Sequence, residues 1–222
     1  SLVRIPQTGR RRKRVCMPLS AQEVVTIFET CDRACSKGRR DLVIFCVAFG
    51  CALRSSEIRG LEVGDVHITS ERVLLYIRAP KSGRDILIGM PSWTSAEVES
   101  WQRVRLEDHN ARYTDPLFPT VYGSDNVTDR QLSHRSLSRI FKRAAERAGI
   151  RPDRVSTHTG RVTAINAALS ISGDYGIVRE YSRHSNIGSV GEYDRRKGRL
   201  ADAITSKLRY QPKRQLSKKG VM

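Results

Sequence analysis

The sequence predicts an α+β fold that is mostly helical and carries a small antiparallel sheet of three strands. Long stretches of the chain repeat apolar residues at three- and four-residue intervals, which is typical of helices with one buried face. Between two of these stretches, short runs of Val, Ile and Leu are separated by Gly, Pro and Ser, as in strands joined by turns. The 222 residues suffice for one large domain with a hydrophobic core, or for two small domains.

The helices are predicted from their capping residues and apolar patterns. Ser20-Ala-Gln-Glu23 and Thr94-Ser-Ala-Glu97 have the spacing of capping boxes, so a helix should begin at each of them. The apolar run at residues 42–53 is long enough for a buried helix, and Gly149 is suited to end another. In chain order, helices are expected at residues 20–35, 42–53, 55–61, 94–108, 133–148, 161–170, 176–183, 189–193 and 200–208.

Short β-type stretches lie between the third and fourth of these helices. Strands are expected at residues 66–68, 73–77 and 86–88. The second and third strands flank Arg78-Ala-Pro-Lys-Ser-Gly-Arg84, whose Pro and Gly favour a turn. Lys81 is therefore expected on a hairpin of the sheet. Residues 110–130 are rich in Pro, Gly, Asp and Asn and are expected to form a loop.

The charge of the chain indicates the class of its partner. Lys and Arg number 40 against 23 Asp and Glu, which gives a formal net charge of +17. Such an excess favours nucleic acid, because neutralisation of phosphates drives binding. A ribosome-associated protein, or one that is merely basic, is the alternative. The run from Arg10 to Arg14 concentrates charge in an N-terminal arm, which is either a solvated tail or a contact along phosphates.

Cysteine usage and hydropathy bound the compartment. No stretch of about 18 apolar residues occurs, so no membrane span is expected, and the N-terminus lacks the apolar centre of a secretory signal. An odd number of cysteines, all in the first quarter, fits core thiols in a reducing cytoplasm rather than a disulfide framework. Cys31 and Cys35 could share a metal ion, but no second ligand pair follows, so no metal is expected. The cysteines are Cys16, Cys31, Cys35, Cys46 and Cys51.

A set of six polar residues has the chemistry for phosphodiester transfer. A guanidinium group matches phosphate geometry and keeps its charge, and a tyrosine hydroxyl can attack phosphorus and stay attached. Histidine can exchange protons near neutral pH, and a lysine on a hairpin could protonate the leaving 5′-oxygen. No carboxylate cluster for two magnesium ions is evident, so no cofactor is expected. The six residues are Arg54, Lys81, His158, Arg161, His184 and Tyr193.

Each of these residues also has a simpler interpretation when taken alone. His158 and Arg161 are three apart, which places them on one helix face, but such a pair is usually an ordinary surface pair. Arg54 could pair with Glu57 on its own helix, and Tyr193 could be a packing residue. Their combined order and spacing favour the functional interpretation.

The order Arg, Lys, His-x-x-Arg, His, Tyr resembles that of the catalytic domain of tyrosine recombinases, the phage-integrase and Xer-like enzymes. Ala52-Leu-Arg-Ser-Ser-Glu-Ile-Arg-Gly-Leu61 resembles the first box of that family, and His184-Ser-Asn-Ile-Gly-Ser-Val-Gly-Glu-Tyr193 resembles its last. The resemblance spans about residues 18–196 and implies that the six residues are catalytic, with Glu57 supporting the first arginine. It implies site-specific recombination through a 3′-phosphotyrosyl intermediate, without metal or ATP, in integration, excision or resolution.

The resemblance also implies partners and an organisation of the chain. Double-stranded DNA with specific recombination sites is the expected substrate, and a homotetramer the expected assembly. We expect a basic arm at residues 1–19, a catalytic domain at 20–196, and a C-terminal helix with a basic tail at 197–222. The family's N-terminal core-binding domain is not visible, so the catalytic half of a longer enzyme is expected. DNA contacts are expected from Arg10, Arg11, Arg12, Lys13, Arg14, Arg84 and Arg183.

Two positions depart from the family pattern, and two other functions remain open. Arg183 stands where glycine is common before the second histidine, and Val162 stands where histidine is frequent. A type IB topoisomerase-like enzyme shares the same six residues, and a catalytically inactive DNA-binding relative is the second alternative. The apolar stripe of the tail helix at residues 200–208 could pack on its own domain or on a neighbouring subunit.

Overall fold

A computed structural model of the chain describes residues 16–78 and 85–194. The mostly helical α+β architecture with a three-stranded antiparallel sheet is confirmed in these residues. None of their helices is both long and apolar enough to cross a membrane. The helices are α1 (Ala21–Glu29), α2 (Ser36–Gly50), α3 (Ser55–Gly60), α4 (Ser92–Glu107), α5 (His134–Arg147), α6 (Thr157–Ser172), α7 (Tyr175–Ser182) and α8 (Ile187–Gly191). The strands are β1 (Val66–Ile68), β2 (Val73–Ile77), β3 (Ile86–Gly89), β4 (Pro119–Tyr122) and β5 (Asn126–Gln131).

The three-stranded sheet has the order β1-β2-β3, and both of its pairings are antiparallel. On the central strand β2, Val73, Leu75 and Ile77 alternate with less buried residues, so one face of the sheet packs on the core. Lys81 and Arg84 belong to the connection between β2 and β3, of which residues 79–84 lie outside the described residues. The N-terminal arm and the expected tail helix at residues 200–208 lie outside them as well.

The prediction of a loop at residues 110–130 is wrong for its second half. Strands β4 and β5 pair antiparallel there and turn near Gly123, whose φ of 61° suits glycine. β5 is exposed or half-buried along its whole length and reads Asn-Val-Thr-Asp-Arg-Gln. It therefore lacks the apolar alternation from which a strand is predicted.

Several predicted helix boundaries are also wrong. α1 ends at Glu29 and α2 begins at Ser36, so the single helix expected to residue 35 stops early. α4 begins at Ser92, after Pro91. The Thr94 hydroxyl donates to the Pro91 carbonyl instead of capping a helix, so the expected capping box is not the N-terminus. α6 begins at Thr157 rather than at residue 161, because the Ser156 hydroxyl accepts a hydrogen bond from the helix start.

α2 is the centre of the hydrophobic core. Its residues from 42 to 49 are all buried, and α4 and α6 pack against it. A second, smaller apolar cluster lies beneath α6, α7 and α8, and Tyr193 packs against its edge. This second cluster holds the C-terminal helices, and with them the candidate site, on the main core.

Helices α2 and α6 approach each other closely at Gly160. A Cβ atom at this position would lie 2.9 Å from the Cβ of Ala48 and 3.4 Å from the Ala48 carbonyl oxygen. Only glycine lets α6 lie this close to α2 without displacement. Since Gly160 stands between His158 and Arg161, the contact also sets the position of both side chains.

Gly160→Ala should push α6 away from α2 and lower the free energy of unfolding by about 1–3 kcal/mol, the usual cost of overpacking. The higher helix propensity of alanine will offset only part of this loss. The matched control is Gly60→Ala, because an added Cβ at Gly60 has no neighbour within 4 Å. Urea denaturation of both variants measures the difference, and the control should be unchanged or slightly more stable. The double variant Ala48→Gly/Gly160→Ala should recover part of the loss, whereas strictly additive effects would show that the two positions do not clash.

Candidate active site

Five of the six residues singled out by the sequence line one cleft of about 480 Å³. Arg54 stands at the N-cap of α3, and His158 and Arg161 lie in the first turns of α6. His184 follows the end of α7, and Tyr193 follows the end of α8. The fold thus brings the start of α3, from the first third of the chain, together with residues on or just after the later helices α6, α7 and α8. Lys81, the sixth residue, lies outside the described residues.

Arg54 is held by Glu57. The Arg54 Nη1 donates to Glu57 Oε1 at 2.6 Å, and the Arg54 backbone N–H donates to Oε2 at 2.7 Å. The side chain of Glu57 is only 9% exposed, whereas that of Arg54 is 41% exposed. Burial raises the pKa of Glu57, but the attraction of Arg183 and the bonds from Arg54 outweigh it, so that pKa lies below its usual range. The carboxylate is therefore ionised, and it fixes the guanidinium at the edge of the cleft.

Arg161 is a buried guanidinium bound to two backbone carbonyl groups. Only 2% of the residue is exposed. Its Nη1 donates to the Ala52 carbonyl at 2.6 Å, and its Nη2 donates to the Ser182 carbonyl at 2.5 Å. Desolvation, and then the charges of Arg54 and Arg183, lower the pKa of Arg161 to about 10, so it stays charged at neutral pH. Neither acceptor could be predicted from the sequence, because every residue has a backbone carbonyl group whatever its type.

His184 is locked in one tautomer by its neighbours. The Ser182 hydroxyl donates to the Val178 carbonyl at 2.6 Å, so its oxygen accepts a hydrogen bond from His184 Nδ1 at 2.7 Å. With the proton on Nδ1, the Nε2 atom accepts from Arg161 Nη2 at 3.1 Å. Desolvation and the surrounding arginines lower the pKa of His184 to about 4. His184 is thus neutral in this structure, and its Nε2 atom acts as a hydrogen-bond acceptor.

His158 and Tyr193 face each other across the cleft. The Tyr193 hydroxyl lies 3.5 Å from His158 Nε2, and the Tyr193 ring lies 5.2 Å from the His184 ring. Partial desolvation, and then the charge of Arg161, lower the pKa of His158, which keeps Nε2 able to accept a proton. The hydroxyl of Tyr175 donates to the carboxylate of Asp194, the residue after Tyr193, and so ties this end of the chain to α7.

The expected DNA contact of Arg183 is not supported by the structure. The Arg183 side chain is 7% exposed and pairs with Glu57 at 3.0 Å. Its guanidinium points into the protein because it finds a buried carboxylate and several carbonyl groups there. The other expected DNA contacts, in the arm and at Arg84, lie outside the described residues.

His184 should stay neutral down to about pH 5, with the proton on Nδ1. Since its folded-state pKa of about 4 lies below the usual 6.5, the unfolded chain binds the proton more readily. The folded state should therefore lose stability as the pH falls from about 6.5 towards 4. The ¹⁵N and ¹³C shifts of the imidazole, followed by NMR against pH, test this. A His184 ring that titrates near pH 6.5, or carries its proton on Nε2, would contradict the assignment.

Sequence comparisons connect this arrangement with known proteins. Residues 18–198 match the profile of the phage integrase family. The chain is 35% identical over 161 residues to a tyrosine recombinase of Synechocystis sp., an alignment that covers 71% of this chain and 48% of that protein. It is 26% identical over 156 residues to tyrosine recombinase XerA of Pyrococcus furiosus, covering 70% of this chain and 50% of that protein. The chain thus spans about half the length of each of these relatives.

Solved structures share the fold at lower identity. The crystal structure of XerA recombinase superposes with a TM-score of 0.69 at 20% identity, covering 87% of this chain and 66% of that one. The XerH site-specific recombinase, in its post-cleavage complex with a palindromic difH substrate, has a TM-score of 0.69 at 16% identity and covers 87% and 54% of the two chains. With the family match extending over most of its length, this chain belongs to the phage integrase family.

Proposed function

We propose that this chain cleaves and rejoins DNA strands as the catalytic part of a site-specific tyrosine recombinase. The observation that carries the proposal is the Tyr193 hydroxyl, 3.5 Å from the neutral His158 Nε2, in a cleft that the guanidinium groups of Arg54 and Arg161 also line. A nucleophile, a proton acceptor and fixed positive charge are the parts that phosphoryl transfer requires. Family membership and relatives named as tyrosine recombinases support the same conclusion.

In the proposed reaction the Tyr193 oxygen attacks the phosphorus of the scissile phosphate. The bond from phosphorus to the 5′-oxygen breaks, and a 3′-phosphotyrosyl bond forms. His158 accepts the tyrosine proton, and Lys81 donates a proton to the leaving 5′-oxygen. Arg54 and Arg161 bind the non-bridging oxygens; the bonds of Arg161 described above use three of its five N–H groups. Because one phosphoester replaces another, the reverse reaction with a new 5′-hydroxyl needs no ATP.

The partners follow from the same chemistry. The net charge of +17 suits a duplex, with residues 20–196 as the catalytic domain and residues 1–19 as an arm along phosphates. Exchange between two duplexes cuts four strands, and each chain has one Tyr193, so we propose that four copies act together. Five cysteines, all in the first quarter of the sequence, fit a reducing compartment, and we place the activity in the cytoplasm.

Tyr193→Phe should abolish covalent capture on a nicked suicide substrate, since it removes only the attacking oxygen, while folding and DNA affinity should hardly change. Tyr181→Phe is the matched control. The Tyr181 hydroxyl donates to the Gly50 carbonyl at 2.8 Å, so that variant should still form the adduct. Gel detection of protein linked to labelled DNA measures both. An adduct formed by the Tyr193→Phe variant would remove Tyr193 from the proposal, and a native chain that binds DNA without any adduct would identify an inactive binding relative.

Arg161→Lys keeps the positive charge but loses the planar fork. We expect the single-turnover cleavage rate to fall by roughly 10²-fold, the usual cost of losing one donor to a transition state. DNA affinity should fall much less, because many other cations contact the backbone. The lysine also loses the bonds to Ala52 and Ser182, so the folded fraction must be measured by circular dichroism at the assay temperature. Equal losses in affinity and in rate would make Arg161 an ordinary phosphate contact.

Lys81→Ala should be rescued by a substrate with sulfur at the 5′-bridging position. A thiolate leaves without protonation, so the general acid becomes dispensable for that substrate. Tyr193→Phe, tested in parallel, should gain nothing from the sulfur, because it lacks the nucleophile. Comparison of cleavage rates on the oxygen and sulfur substrates gives the result. Absence of rescue would reduce Lys81 to a charge contact with DNA.

A further inference from the structure

We propose that Arg183 is a positioning residue that holds Arg54 and Arg161 together in the geometry needed for the phosphate. The inference rests on the function proposed above and extends it to a residue outside the six. Arg183 lines no part of the cleft wall. Its effect would therefore be transmitted through the residues that do.

The side chain of Arg183 is bound on several sides. Its Nη1 donates to the carbonyl groups of Tyr181 at 2.9 Å and Cys51 at 3.2 Å. Its Nη2 donates to the Ala52 carbonyl and to Glu57 Oε2, each at 3.0 Å. A buried guanidinium with this many acceptors has little freedom to move. It joins the end of α7 to the connection between α2 and α3.

Two of these acceptors are shared with the arginines of the cleft. Glu57 accepts a hydrogen bond from Arg183 through Oε2 and from Arg54 Nη1 through Oε1. One carboxylate therefore fixes the positions of the two guanidinium groups relative to each other. The Ala52 carbonyl accepts from Arg183 at 3.0 Å and from Arg161 at 2.6 Å. The carbonyl of Arg183 itself accepts from Arg54 Nη2 at 2.9 Å. Arg183 thus contacts the supports of both arginines at once.

The backbone conformations of Arg183 and Ala52 are also unusual. Arg183 has φ 58° and ψ 43°, and Ala52 has φ 50°, so both are non-glycine residues in the left-handed region. Such conformations cost free energy and persist only where surrounding contacts offset them. Their carbonyl groups are two of the acceptors that hold Arg54 and Arg161. If this residue served only to end α7, glycine would suffice, because glycine adopts the left-handed conformation without strain. The presence of an arginine here therefore indicates a further role for its side chain.

Arg183→Gly separates the role of the backbone in ending α7 from the role of the side chain. Glycine adopts the left-handed backbone conformation, so the substitution removes only the side chain. We expect the single-turnover cleavage rate on a nicked suicide substrate to fall roughly tenfold or more, by comparison with other losses of preorganisation. The DNA dissociation constant should change by less than about threefold, since Arg183 does not face the DNA. Arg183→Lys keeps the charge and should recover part of the rate.

The pH dependence of the cleavage rate distinguishes a positioning role of Arg183 from a role in ending α7. If Arg183 only ended α7, its loss would leave this pH dependence unchanged. The charged groups that face Glu57 are Arg54, Arg183 and Arg161. Without Arg183, Glu57 takes up a proton at higher pH, and the acidic limb of the cleavage rate should move upwards in pH. Asn110→Gly is the control for the backbone, because Asn110 also has a positive φ, of 49°, and does not line the cleft. It should leave both rate and profile unchanged.

A crystal structure of Arg183→Gly without DNA tests the inference independently of cleavage. It should show Glu57 displaced and the guanidinium group of Arg54 moved with it. Unchanged positions of Arg54 and Arg161, or a native rate and pH profile in this variant, would overturn the positioning role. A native chain that forms no adduct would instead refute the proposed function, and the crystal structure would still decide the role of Arg183.

Discussion

The burial of the Arg161 guanidinium is the constraint on which the site depends. A charge taken out of water must be matched by hydrogen bonds. Arg161 forms these bonds with the backbone carbonyl groups of Ala52, which lies 109 positions away along the chain, and of Ser182, which lies 21 positions away. These bonds draw the segment after α2 and the end of α7 against α6. Because Arg54 follows Ala52 closely and His184 follows Ser182, both sides of the cleft are placed by one side chain.

The same burial determines the electrostatics of the cleft. Three guanidinium groups, from Arg54, Arg161 and Arg183, face the carboxylate of Glu57. Desolvation together with this positive charge lowers the pKa of His184 to about 4. Desolvation and the charge of Arg161 also lower the pKa of His158. The excess of positive charge suits an anionic ligand, and the neutral histidines are able to accept protons. An anion bound beside Arg161 would return part of the free energy that its burial costs.

The parts of the fold with strong local signals could be predicted from the sequence. The capping box at Ser20 and the apolar run within α2 are both found in the structure, and β1 and β2 have the expected bounds. β4 and β5 could not be predicted, because their stability comes from pairing with each other and not from an apolar pattern. For the site, the spacing of His158 and Arg161 predicted a shared helix face, and both lie on α6, although the helix was expected to begin only at residue 161. The role of Arg183 could not be foreseen, because its backbone conformation and its acceptors exist only in the folded chain.

In the proposed function, Arg54 and Arg161 are already in position for the phosphate before DNA binds. A crystal structure of this chain linked to a suicide DNA substrate tests it most directly. We expect Arg161 to keep its bonds to the Ala52 and Ser182 carbonyl groups and to bind the phosphate with its remaining N–H groups, and the DNA to be attached to Tyr193. Rotation of Arg161 away from these carbonyl groups to reach the phosphate would show that the site is assembled only on DNA binding. Attachment of the DNA to another residue would rule out Tyr193 as the nucleophile.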